Sequence, residues 1–205
     1  MRQSGDEELG TLEQADGLSI LRFERRLAQP RERVWRALTE DAELAAWFPT
    51  TVEGPRRAGA ALRFAFPRGE AAPFDGEMLA CAPPSLLELR WGDDVLRFEL
   101  EPDEGSGGCT LRLRVTFPEH GKAARDAAGW HVCLERLALT LDGVEPLPDP
   151  SAQRWRVVHR VYVERLGPEA SAIGPPEEWE RVHGPGMRIA GNGDGDGCDR
   201  PADRG

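Results

Sequence analysis

Two tryptophan-containing segments, separated by several short alternating stretches, determine the predicted order of elements in this chain. The first, residues 31–48, reads RERVWRALTEDAELAAWF, and the second begins at Gly129-Trp130. The first segment has the apolar spacing of two short helices, and the second has that of one long helix. A helix pair, antiparallel strands and a long helix, in that order, predict a curved sheet wrapped around the last helix. This arrangement can enclose a cavity, so the pattern favours a binding protein over an enzyme.

Apolar and polar residues alternate most regularly at residues 109–117. Leu111 and Val115 fall on one side of an extended chain there, and Arg112 and Arg114 fall on the other. A period of two with one apolar side is typical of an antiparallel sheet that has one buried face. The same pattern predicts six strands, at residues 18–27, 61–66, 74–81, 86–91, 95–101 and 109–117.

Proline residues mark the predicted ends of the short helices. Pro30 precedes the first helix, and Pro49 follows the second. Thr39 is expected to cap the second short helix, because a threonine hydroxyl can accept a hydrogen bond from a first-turn N–H. The long helix is predicted over residues 122–142, and a further helix over residues 154–166.

The two ends of the chain have a different composition from the middle. Residues 1–17 are polar, and residues 167–205 are rich in Gly and Pro and lack periodicity. Segments of this kind offer little apolar surface to offset the entropy of ordering. Both are predicted to be disordered tails, on either side of one domain at residues 18–166.

One part of the C-terminal tail, residues 192–203, matches the start of a calcium-binding loop. Asp194 and Asp196 have the spacing of calcium ligands. Pro201 interrupts the pattern, however, and Asp199 stands where such loops usually carry an apolar residue. A Gly- and Asp-rich tail is the preferred interpretation, and no metal site is predicted.

Composition narrows the range of partners and the cellular location. The net charge is −10, and Lys122 is the only lysine, so binding to nucleic acid through its phosphates is not expected. No apolar stretch approaches the length of a membrane span, and no secretory signal is evident at the N-terminus. The four cysteines form no C-x-x-C pair. These features predict a reduced, cytoplasmic protein without disulfides or a zinc site.

Four features follow each other in an order that is found in a known superfamily. They are VWRALTEDAELAAWF at residues 34–48, a strand from Phe74-Asp75-Gly76 to the Pro83-Pro84 turn, residues 86–91, and Gly129-Trp130 with leucines beyond. In these features the chain resembles the START-like (SRPBCC) superfamily. Within it, the chain is similar to the branch related to the C-terminal domain of the activator of heat-shock protein 90 ATPase.

This resemblance covers about residues 18–142 and implies an α+β fold called the helix-grip. In that fold an antiparallel sheet of about seven strands wraps around a long C-terminal helix, with two short helices after the first strand. The superfamily includes lipid carriers, cyclases, hormone receptors and chaperone helpers. The resemblance therefore implies a fold and leaves the function open.

The candidate binding site consists of large apolar residues that are expected to point inward between the sheet and the long helix. For any single residue, ordinary core packing is the alternative. The predicted cavity residues are Trp47, Phe48, Phe64, Met78, Trp91, Phe98, Trp130 and Leu134.

Catalytic chemistry has little support in the sequence. The four histidines, at positions 120, 131, 159 and 183, lack metal-ligand spacing and are expected to be solvated surface residues. No nucleophile motif, zinc-protease motif or phosphate-binding loop is present. No catalytic residue, metal or cofactor is predicted.

Three functions remain open. The first is a non-catalytic protein that holds a small apolar or amphipathic ligand between the sheet and the long helix. The second is a protein-interaction module, linked to a chaperone or a regulator, that uses the outer face of the sheet. Charged residues there, among them Arg97, Glu99, Arg112 and Arg114, could provide the contacts. The third is a cyclase or hydrolase of the same fold. The expected partners are a small apolar ligand or another protein, without nucleic acid or membrane.

Overall fold

The computed structural model describes residues 9–144 and 150–184, with no side-chain description for residues 150 and 151. Within these residues, eight strands form one antiparallel sheet in the order β1-β2-β8-β7-β6-β5-β4-β3. The strands are β1 Thr11–Ala15, β2 Leu18–Leu27, β3 Thr51–Glu53, β4 Ala61–Ala65, β5 Phe74–Ala82, β6 Leu86–Trp91, β7 Asp94–Pro102 and β8 Cys109–Phe117.

Five α-helices accompany the sheet in the described part of the chain. They are α1 Arg31–Thr39, α2 Asp41–Trp47, α3 Ala123–Leu141, α4 Pro150–Leu166 and α5 Glu177–His183. Short 3₁₀ turns at His120–Lys122 and Glu169–Ser171 precede α3 and follow α4. Helices α1 and α2 link β2 to β3, and β3 is the edge strand farthest from β1.

The alternating pattern places one layer of apolar side chains against α3. In the observed register Leu113 of β8 lies between Phe23 of β2 and Phe98 of β7, and all three are buried. Helix α3 buries Trp130 and Leu134 in the same core, where the ring of Trp130 meets that of Trp91 at the end of β6. The predicted helix-grip fold is therefore confirmed, with eight strands where about seven were expected.

The additional strand, β1, lies in a segment that was predicted to be disordered. Its residues pair with β2 from Thr11↔Arg22 to Ala15↔Leu18. The Asp16-Gly17 turn between the two strands has positive φ at both residues, the geometry of a tight hairpin turn. As an edge strand β1 is exposed on nearly every residue, so it lacks the apolar alternation that marks the other strands.

The predicted C-terminal tail is also partly folded. The 3₁₀ turn Glu169–Ser171 and helix α5 lie within it, and the indole of Trp179 packs on that of Trp155 in α4 at a centroid distance of 4.7 Å. The prediction of disorder is therefore wrong for residues 11–15 and 169–183. Residues 1–8 and the candidate calcium loop lie outside the described residues.

Thr39 does not cap the second helix. It is the last residue of α1, and its hydroxyl donates a hydrogen bond to the Trp35 carbonyl one turn earlier. Glu40 takes the position before α2, and its side chain makes no capping hydrogen bond. Sequence order alone did not separate the end of one helix from the start of the next.

Candidate functional site

The predicted cavity residues lie close together, and most of their rings are in contact. Trp47 meets Phe98 at a centroid distance of 6.2 Å and Phe48 at 5.3 Å. Phe48 meets Trp130 at 5.7 Å, and Trp130 meets Trp91 at 5.6 Å. These rings form a continuous aromatic chain from α2, through α3, to the end of β6.

The other three predicted residues, Phe64, Met78 and Leu134, are buried in the same core. The ring of Phe64 stacks on that of Phe74 at a centroid distance of 5.2 Å. Phe74 was not among the predicted site residues, although it also contacts Trp91 at 5.2 Å.

The interior next to these rings is nearly full. An inner cavity of about 10 Å³ lies beside Trp47, Phe48, Met78 and Phe98. That volume is close to the minimum that holds one water molecule. The remaining predicted residues, Phe64, Trp91, Trp130 and Leu134, do not line it.

A larger space opens at the surface between α2 and β3, and we call it the α2–β3 groove. Its volume is about 210 Å³. Among the predicted site residues only Phe48 lines it. The lining residues are Asp41, Leu44, Ala45, Phe48, Thr50, Thr51, Val52, Glu53 and Pro67.

The groove and the inner cavity share a wall. Leu44, Phe48 and Val52 line both spaces. Phe48 follows the last residue of α2, and its N–H donates to the Leu44 carbonyl at 2.8 Å. A change in the rotamer of Phe48 would therefore alter the connection between the groove and the core.

The position of this wall depends on how the end of α2 is held. The indole N–H of Trp47 donates to the Ala37 carbonyl of α1 at 2.8 Å. From α3, the Arg136 guanidinium donates to the Ala46 carbonyl at 2.6 Å. Burial lowers the pKa of Arg136 from its ordinary value. These bonds hold α2 against α1 and α3.

Two buried polar atoms, one on the groove and one on a predicted site residue that lines neither space, have no hydrogen-bond partner within the described part of the chain. They are the Thr50 hydroxyl oxygen and Nε1 of Trp91. Thr50 lines the groove and is only 2% exposed. Buried hydroxyl groups usually find a partner, so the Thr50 oxygen, on the groove, indicates a position where a bound molecule could supply one.

The prediction that the histidines are solvated surface residues is wrong for His131. His131 is 3% exposed, and the other three are partly buried. The Gly10 N–H donates to the Tyr162 hydroxyl at 2.7 Å, and that hydroxyl lies 3.3 Å from Nδ1 of His131. Nε2 of His131 lies 3.1 Å from the Glu135 carboxylate.

Glu135 completes this hydrogen-bonded chain. Burial alone would raise its pKa, but the hydrogen bonds from His131 and Arg154 lower the pKa to about 2. Because Tyr162 is fully buried, this chain links the N-terminal segment, α3 and α4 rather than facing a substrate. Among residues 9–144 and 150–184, no cluster of three or more His, Cys, Asp or Glu residues could hold a metal ion.

The sheet, the gripped helix α3 and the apolar interior define a protein of the helix-grip class. Residues 28–142 match the family described as Activator of Hsp90 ATPase homolog 1-like protein. Since this match spans more than half of the chain, the protein belongs to that family, and the resemblance seen in the sequence is confirmed. A comparison with curated proteins found no significant match.

Solved structures support the same fold. A conserved protein of unknown function from Enterococcus faecalis is 22% identical, with a TM-score of 0.63 over 77% of this chain and 90% of that one. CalU16 from Micromonospora echinospora is 20% identical, with a TM-score of 0.59 over 76% and 94% of the two chains. A Bordetella parapertussis protein is 29% identical, with a TM-score of 0.60 over 71% and 85% of the two chains.

No helix in the described part of the chain is long and apolar enough to cross a membrane.

Proposed function

We propose that this protein is a non-catalytic binding protein that holds a small apolar or amphipathic ligand. The ligand would enter at the α2–β3 groove and extend toward the predicted cavity residues between the sheet and α3. The observation that carries this proposal is the shared wall of Leu44, Phe48 and Val52, which line both the groove and the inner cavity.

Phe48 would act as the movable part of this wall. Its ring contacts Trp47 and Trp130, so displacing it would bring a ligand against the aromatic chain. The groove is smaller than the roughly 300–1,000 Å³ of pockets for drug-sized ligands. A small ligand would fit it directly, and a longer one would need Phe48 to swing away.

The chemistry of the lining favours binding over catalysis. The lining residues are five apolar side chains, two hydroxyls and two carboxylates. Neither a histidine nor a cysteine is among these nine residues. No cofactor is proposed.

Filling the groove tests the proposal. Ala45 lines the groove from the exposed side of α2, so Ala45→Trp should fill it without disturbing the core. Ala42 is also exposed on α2 but does not line the groove, which makes Ala42→Trp the matched control. Saturable binding of an apolar fluorescent probe should occur in the micromolar range, about −8 kcal/mol. The affinity for this probe should fall at least tenfold in Ala45→Trp and should not fall in Ala42→Trp.

A second variant tests the same proposal by enlarging the connection between the groove and the inner cavity. Phe48→Ala removes part of the wall and should allow longer ligands to bind more tightly. If Ala45→Trp and Ala42→Trp bind the probe as well as the unmodified protein, the groove is not the binding site and this proposal is wrong.

The nearly full interior favours a second candidate, a protein-interaction module that uses the outer face of the sheet. Three arginines lie directly opposite one another across strands β2, β8 and β7, at Arg22, Arg114 and Arg97. Glutamates surround them, including Glu88, which lies 3.5 Å from Arg97. Native mass spectrometry of the purified protein separates the two candidates. A small-molecule adduct supports the binding protein, whereas no adduct and no probe binding would favour the interaction module.

A further inference from the structure

The α2–β3 groove carries negative charge at its rim. Asp41, in the first turn of α2, and Glu53, in β3, both line it, and no lysine or arginine is among its lining residues. The two carboxylates come from the two elements that form the sides of the groove. An ionic ligand in this groove would therefore meet negative charge first.

The two carboxylates differ in how far they are neutralised. Asp41 accepts a hydrogen bond from Arg56, and the same guanidinium also donates to the backbone carbonyls of Thr39, Gly54 and Val52. Arg56 lines the inner cavity rather than the groove.

Glu53 has no ion-pair partner among the residues that the structure describes. Its neighbour across the strands is Arg63, but that guanidinium donates to Asp75 at 2.7 Å. The charge of Glu53 is thus available to a ligand.

Thr50, which lines the groove, offers a second polar contact. The Thr50 hydroxyl oxygen is buried and has no hydrogen-bond partner in the described residues. A ligand N–H or O–H group that reached Thr50 could donate to this oxygen, which would remove the cost of an unsatisfied buried group. An ammonium group can donate to a hydroxyl and to carboxylates together, whereas a carboxylate would be repelled by Glu53.

We propose that the ligand is a neutral or cationic molecule with an apolar body and an amine or hydroxyl at its polar end. The apolar body would lie against Leu44, Phe48 and Val52, and the polar end between Thr50 and Glu53. Fatty acids and other anionic lipids are disfavoured, and the overall charge of −10 acts in the same direction at long range. This inference rests on the function proposed above.

A matched series of probes tests the ligand class. Phenethylamine, phenethyl alcohol and hydrocinnamate share one aromatic body and differ in the charge of the end group. Their dissociation constants are measured by calorimetry at about 0.01 M ionic strength, where screening is weak. The amine should bind about fivefold or more tightly than the carboxylate, with the alcohol between them. The preference should shrink at about 0.15 M ionic strength.

Two variants assign this preference to specific groups. Glu53→Gln should remove most of the difference between amine and carboxylate and leave the affinity for the alcohol unchanged. Glu104 is an exposed residue of the turn between β7 and β8, so Glu104→Gln is the matched control and should retain the preference. Thr50→Val, which is nearly isosteric, should weaken the amine and the alcohol together.

The outcomes distinguish this inference from the proposed function. If hydrocinnamate binds as tightly as phenethylamine, or if Glu53→Gln leaves the preference intact, the ligand class is wrong while the groove remains a binding site. If none of the three probes binds and the apolar fluorescent probe also fails, the proposed function itself is wrong.

Discussion

The hydroxyl oxygen of Tyr162 lies 3.3 Å from Nδ1 of His131, and both side chains are buried. The same hydroxyl accepts a hydrogen bond from the Gly10 N–H. One phenol therefore connects α4, α3 and the segment that leads into β1. Gly10 is suited to this place because a Cβ there would lie 2.4 Å from the ring of Phe23.

Removal of this hydroxyl should destabilise the protein. Tyr162→Phe keeps the ring but leaves two buried groups unpaired, the Gly10 N–H and Nδ1 of His131. We expect a loss of about 1–3 kcal/mol in the free energy of unfolding, measured in urea. Val161→Ala, at an exposed neighbouring position, should change stability by less than about 0.5 kcal/mol. Equal effects of the two changes would show that the hydrogen-bonded chain is unimportant.

Replacement of Trp130 tests whether α3 packs against the sheet. Its ring contacts Phe48 and Trp91, and the residue is only 4% exposed. Trp130→Ala should cost about 3–5 kcal/mol in urea unfolding, as a large-to-small change in the core. A loss under about 1 kcal/mol would mean that the helix does not pack as described.

The sequence predicts well those parts of the fold in which apolar and polar residues alternate regularly. The strands at 86–91 and 109–117 appear with the predicted bounds, because each buries one face in the apolar core. Strand β1 shows no such pattern, since an edge strand exposes both faces and relies on backbone pairing. The Asp16-Gly17 pair was the available signal for that hairpin.

The candidate site was harder to predict. Period-two patterns identified Phe98 and Trp91 as inward-facing, but a pattern does not show whether the rings contact one another or leave space. The groove depends on the position of α2, which the Trp47 and Arg136 hydrogen bonds hold against α1 and α3. Thr50 has no distinctive sequence signal, because its importance comes only from burial without a partner.

The pH dependence of stability near neutrality should follow His159. Its ring stacks on Trp155 at 4.5 Å, and its Nε2 is buried with no hydrogen-bond partner within the described residues. Burial, together with Arg125, lowers the pKa of His159 below its ordinary 6.5. Burial and Arg68 also lower the pKa of His183, against the opposing effect of Glu70.

Because the pKa of His159 is lowered, the direction in which stability changes with pH is determined. The unfolded chain binds the proton more readily than the folded protein. The contribution of His159 to the free energy of unfolding is therefore fully present above pH 6.5. It is lost as the pH drops below that value toward the pKa of the folded protein. The melting temperature should decrease from about pH 7 to pH 5, and His159→Gln should make that decrease smaller. His120→Gln is the control, and an unchanged slope in His159→Gln would contradict the assignment.

Lys122 and Asp94 form a buried ion pair that connects the start of β7 to the start of α3. Nζ lies 2.7 Å from both carboxylate oxygens, and Asp94 is only 4% exposed. Burial raises the pKa of Asp94 above its ordinary value, although the hydrogen bonds from Lys122 oppose that shift. Lys122→Met would leave the carboxylate buried with its principal cation removed, and should cost about 3–5 kcal/mol near pH 7.

Lowering the pH should reduce the destabilisation caused by Lys122→Met, because the pKa of Asp94 is raised. The folded Lys122→Met variant binds a proton at Asp94 more readily than the unfolded chain does, so its stability relative to the unmodified protein should improve as the pH falls toward 4. The double variant Asp94→Asn/Lys122→Met removes both charges of this pair and should recover most of the lost stability at pH 7. Urea unfolding of the three proteins at both pH values measures these effects. A Lys122→Met penalty that is the same at pH 7 and pH 4 would show that lost packing, rather than the uncompensated carboxylate, is the cause.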